Sequence, residues 1–159
     1  MKHFKHGQQD QKNKENYQVL NAIKELIKTH SFRQDGFEKL LQIDADSLSI
    51  KNQVFYHYIK GKYYILNFKD TDVKDLETLS YANDCYTDMV AIAYDNNFPI
   101  KDTKMHFARC YCKLLIFQQH SSEDVKAKLR LKIEQSAGRI LNYKPDNSSF
   151  KWILSQLPN

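Results

Sequence analysis

The residues best suited to chemistry lie on one stretch, Thr103 to His120, where His106, Arg109, Lys113 and His120 recur at spacings of three, four and seven. On a helix these positions form a single strip, because residues three, four and seven apart share a face. His106, Arg109 and Lys113 fall within about two turns. Together they could hold a phosphate or carboxylate. The competing expectation is that the strip is the wet edge of an otherwise apolar helix.

Cys110-x-Cys112 invites a metal, but side chains two residues apart on a helix point about 160° away from each other. His106 and Cys110 share a face, yet no second pair of ligands is evident, so no metal site and no cofactor are expected. The histidines at 57, 106 and 120 titrate near neutrality when unperturbed and are the available acids or bases. No Gly-flanked serine and no catalytic cysteine signature accompanies them. The sequence therefore leans against an enzyme, and one using a helix histidine ranks third among the readings.

The glycines stand only at 7, 36, 61 and 138, so neither GxGxxG nor GxxxxGK[ST] can be written in this chain. Any phosphate binding must use side chains.

The elements that must position these groups are mostly helical. The chain has 159 residues, 42% of them hydrophobic and 27% charged, which fits one folded domain. We expect a mobile polar arm over 1–12 and a single globular domain over 13–159. Thr103–His120 is apolar nearly all round and reads as a central post wrapped by other helices. A first amphipathic helix is expected from about Asn13 to His30, and a short second one behind a capping box at Asp35-Gly36-Phe37-Glu38. Asp72 is expected to cap a helix of about twenty residues. Asp102 should cap the central helix, and Ser121-Ser122-Glu123-Asp124 should end it and start the next. Phe150, Ile153, Leu154 and Leu157 outline a short closing helix.

One stretch, about 53–68, reads as a β-hairpin. Two runs of β-branched and aromatic residues flank Lys60-Gly61, where glycine suits a tight turn. The expected class is thus α+β, predominantly α-helical: about six helices around the central helix 103–120, with one hairpin.

Charge divides the surface. The net charge is +5. Between 70 and 95, however, Asp70, Asp72, Asp75, Glu77, Asp84, Asp88 and Asp95 face Lys74 alone. On the expected helix, Glu77, Asp84, Asp88 and Asp95 form an outward row with Tyr81 at its border, a candidate protein interface with an aromatic anchor. Tyr56, Tyr58, Lys60, Lys62 and Tyr63 combine rings with cations on the expected hairpin, and Lys128, Lys132 and Arg139 extend them. These are the ingredients of a single-stranded nucleic-acid platform.

The leading expectation is a small cytoplasmic binding protein, an inhibitor, immunity or regulatory factor of bacterial or phage origin acting through protein–protein contact. Binding of single-stranded nucleic acid is the alternative. No signal peptide and no apolar run of about 20 residues is seen, so no membrane partner is expected. Oligomeric state is not legible.

Overall fold

The structure, a computed structural model, describes the backbone of residues 2–159 and the side chains of residues 7–159. Among the described residues there are seven α-helices and no strand: α1 (Lys2–Lys28), α2 (Arg33–Leu41), α3 (Ile50–Asp70), α4 (Leu76–Asp95), α5 (Thr103–Gln119), α6 (Glu123–Tyr143) and α7 (Ser148–Ser155). Short 3-10 turns at His30–Phe32 and Ala45–Ser47 flank α2. The expectation of a mobile arm over 1–12 begins on Met1, outside the described residues. From Lys2 onward the helix is continuous, and residues 7–12 are all exposed.

The α+β expectation is overturned, and with it the hairpin. Residues 53–68 lie wholly inside α3, whose start Ser49 caps by accepting from the Asn52 N–H at 3.2 Å. Rings and β-branched residues crowd this stretch because α3 is buried on most of its surface, from Val54 and Phe55 through Ile59 and Ile65 to Phe68. A segment buried all round lacks the polar alternation that separates strand from helix. The place of central post therefore passes from α5 to α3, which packs on α1, α2, α4 and α5.

Helix α5 has a different duty. Its Cys112 and Leu115 belong to one core with α1, α2, α3 and α4, while Cys110, Leu114 and Phe117 belong to a second core with α6 and α7. Serving two cores explains why it is apolar nearly all round.

Consecutive helices pair as antiparallel hairpins. The odd-numbered helices also pack in series, α1 on α3, α3 on α5 and α5 on α7, whereas α2, α4 and α6 make no contact with one another.

The caps show where local reading succeeds. Asp102 caps α5 by accepting from the Lys104 N–H at 2.9 Å, and Ser122 caps α6 through the Val125 N–H. Two expected caps move. Asp75, not Asp72, caps α4, and α2 starts at Arg33 behind an uncapped Phe32, leaving Asp35 inside its first turn.

Candidate functional site

Two adjoining clefts share the α3 and α5 surfaces. The outer one, about 700 Å³, lies between α1, α3 and the loop that leads into α5. Its floor is Val54, Phe55, Tyr58 and Met105, and Lys24, Lys51, Lys101 and Lys104 stand around it. The inner one, about 350 Å³, lies between α3, α5 and the start of α7, with Lys62, Lys69 and Lys104 at its edge and Phe107, Tyr111 and Phe150 as walls. Tyr58 and Lys104 line both, so the clefts form one groove.

Backbone chemistry aims the loop into this groove. Helix α4 ends with Asn97 in the left-handed region at φ 52°, the Phe98 N–H bonding the Ala93 carbonyl at 2.8 Å and the Asn97 N–H that of Tyr94. This double bond closes the helix and reverses the chain. Phe98, Pro99 and Ile100 are thereby brought to the outer cleft.

The groove's charge is one-sided. Its only carboxylate is Asp102, already engaged as the α5 cap. Lys62 is held below the usual lysine range, first by burial and then by Lys28, Lys24 and Lys104 nearby, against the opposing pull of Glu25. Several ammonium groups rest over rings: Lys24 over Phe55 at 5.6 Å, Lys51 over Tyr17 at 6.0 Å, Lys62 over Tyr58 and Lys69 over Tyr111 at 5.7 Å. Ring faces attract cations, and among the described residues none of these four lysines forms an ion pair.

The sequence candidates are redistributed. Tyr58 and Lys62 reach the groove. Tyr63 does not: it stacks on Phe37 at 3.8 Å and its hydroxyl donates to Gln34. Tyr56 is buried beside His57, and Lys60 acts on Cys85 and His57 toward α4. Lys128, Lys132 and Arg139 stand on α6, away from both clefts. The platform is thus dispersed because its positions, adjacent on a hairpin, point around a helix. Residues Tyr58, Lys62, Ile65 and Lys69 do share one face, at i, i+4, i+7 and i+11. That spacing was the signal for the groove.

The cationic strip also divides. The Nε2–H of His106 donates to the Ile100 carbonyl at 2.7 Å, which ties the loop to α5. Arg109 and Lys113 are half-buried and form no ion pair among the described residues. Burial and the neighbouring Arg109 push Lys113 down to about 8, with Lys132 adding to it. Arg109 is lowered by burial and by Arg139. These are facing positions of the α5–α6 pair, where the Cys110 thiol also approaches the Ile133 carbonyl at 3.9 Å.

Glu77, Tyr81, Asp84, Asp88 and Asp95 are all exposed on α4, and the Tyr81 ring rests 5.5 Å from that of Tyr64 on α3. The Tyr81 hydroxyl donates to Glu77 at 2.6 Å. His57 is lowered by burial, against the opposing pull of Asp88. All three cysteines are buried and unpaired, and among the described residues no three His, Cys, Asp or Glu side chains group as metal ligands. Among the described residues no helix is long and apolar enough to cross a membrane. The chain matches no protein-family model, no curated protein and no solved structure.

Proposed function

We propose that this chain is a cytoplasmic binding protein of the regulatory or inhibitor kind, which holds an acidic, apolar-studded segment of a partner protein in its groove. The observation that carries this reading is the groove itself, an apolar floor edged by Lys24, Lys51, Lys62, Lys69, Lys101 and Lys104 with no free carboxylate. Such a surface complements a segment that alternates apolar anchors with acidic residues, the anchors supplying affinity and the charges orientation. Three buried free thiols suit a reducing compartment.

A peptide suits the groove better than single-stranded nucleic acid. Base stacking needs ring faces open to the ligand. Phe55 and Tyr58 are only 7% exposed and belong to the core packing, which leaves Tyr17, 45% exposed, as the open ring of the outer cleft, and one ring is too few for a run of stacked bases.

The test is fluorescence anisotropy with a labelled peptide of alternating glutamate and leucine or phenylalanine, beside labelled oligo-dT of similar charge. The peptide should bind the native chain more tightly than oligo-dT. Lys24→Glu, Lys51→Glu and Lys101→Glu combined should weaken it more than tenfold. Tighter binding of oligo-dT, or undiminished peptide binding by the triple variant, would overturn the reading.

A further inference from the structure

Tyr86 belongs to α4, yet it lines the inner cleft, which is otherwise built from α3, α5 and the start of α7. Its ring reaches there by crossing α3 at Gly61, where the absence of a side chain leaves room for the phenol carbons. The residue is 1% exposed, and its hydroxyl has no hydrogen-bond partner among the described residues. Among the described residues no sealed side-chain nitrogen or oxygen lacks a partner, so this hydroxyl meets the open space of the cleft. Facing that space, the hydroxyl is free to donate to water or to a bound acceptor.

The other polar side chains around it, the hydroxyls of Thr103, Tyr58 and Tyr111 included, can all donate as well. Lys62, Lys69 and Lys104 bring three ammonium groups and Ser149 a hydroxyl. Asn147 accepts the Phe150 N–H at 3.1 Å through its side-chain oxygen, which leaves its amide N–H groups free. It caps α7, so the positive end of that helix faces the same space. No carboxylate lines this cleft.

We infer that the inner cleft is a binding site for a phosphate monoester. A single carboxylate would leave several donors unmatched. A phosphate dianion offers three acceptor oxygens to the Tyr86 hydroxyl, the lysines and the α7 start. The walls, Phe107 stacked on Tyr111 at 5.7 Å with Phe150 edge-on at 6.0 Å, accept an apolar or aromatic carrier. The carrier is either a phosphorylated side chain on the bound segment or a free phosphorylated small molecule. This inference rests on the groove reading for its setting, but its chemistry is separable.

Trp152, the only tryptophan, reports on the site, its ring centroid lying 5.9 Å from that of Tyr111. Titration of the full chain with phenyl phosphate should give a saturable change in its fluorescence, at least tenfold tighter than with phenylacetate. Tyr86→Phe should weaken phenyl phosphate several-fold and Lys62→Met about tenfold, whereas Lys113→Met, on the opposite side of α5, should leave it unchanged. Circular dichroism melts of each variant separate lost binding from lost folding. A phosphotyrosine-bearing acidic peptide that binds more tightly than phenyl phosphate identifies a segment-borne phosphate. A mononucleotide that does so identifies a small molecule, and either supports the inference. Equal affinity for phenylacetate and phenyl phosphate, or no saturable binding of any phosphate monoester, overturns it. Should the acidic peptide still bind in that case, the groove reading stands alone.

Discussion

Tyr86 lies so close against Gly61 that a methyl group placed at residue 61 would sit 2.7 Å from two of its ring carbons. Both residues are buried, and the contact joins α3 to α4, the most extensively packed pair in the fold. Alanine at this position would gain about 1 kcal/mol of helix propensity. Overpacking against a fixed ring costs about 1–3 kcal/mol, so the clash should win. Gly61→Ala is expected to lower the melting temperature, measured by circular dichroism, and a raised one would show that the ring yields freely.

Gly138 supplies the contrast. It stands inside α6 with nothing within 4 Å of a methyl placed there. Only the propensity gain remains, so Gly138→Ala should stabilise the chain by about 0.5–1 kcal/mol in urea unfolding. The two glycines thus differ in sign for one reason, the neighbour each would meet.

That same Gly61 explains where the sequence misled. Beside Lys60, and between two aromatic runs, it looks like a hairpin turn, whereas it is a notch in a helix that lets a ring cross. Helices α4, α6 and α7 were legible because each sets a buried stripe against a polar face, as in Leu79, Ala82, Tyr86 and Met89 against Asp84 and Asp88, and α5 because Asp102 caps it and Ser122 starts the helix that follows it. Helix α3 has no such polar face. The groove was hidden for a second reason: its lysines come from α1, α3, α5 and the loop before α5, and only tertiary packing brings them together. The acidic row on α4 was readable because a single helix carries it.

Lys113 should report its surroundings by titration. Burial disfavours its charged form, so its value falls to about 8 while an unfolded lysine stays near 10.4. Between those values the unfolded chain binds more protons. The penalty is therefore full below about pH 8 and relieved as pH rises through that window. Lys113→Met should stabilise the chain at pH 7 by on the order of 1 kcal/mol, and by less at pH 10. Equal stability gains at both pH values would contradict the shifted titration.

The cysteines should be silent until the fold opens. Burial raises the thiols of Cys85 and Cys110 to about 11 and that of Cys112 to about 12, so almost no thiolate exists at neutral pH. Thiolate is the reactive form. A colorimetric disulfide reagent at pH 7.5 should label none rapidly in the native chain and all three in denaturant. Rapid native labelling of Cys110 would mean that the α5–α6 contact at Ile133 opens easily.

Acid should act through Arg33 and Asp70. Arg33 is buried at the start of α2; its Nε donates to the Ile27 carbonyl at 2.8 Å near the end of α1, and its Nη1 pairs with the Asp70 carboxylate at the end of α3. One guanidinium thus ties three helix ends. The Arg33 hydrogen bond holds the Asp70 carboxyl below its usual range. A depressed carboxyl binds fewer protons in the folded than in the unfolded chain, so its stabilising contribution is complete above the unfolded value of about 4 and lost as pH falls through the folded one. Asp70→Asn should therefore melt lower than the native chain at pH 7, with the difference shrinking steadily below about pH 4. A difference that persists unchanged to pH 2 would assign the effect of Asp70→Asn to something other than this ion pair.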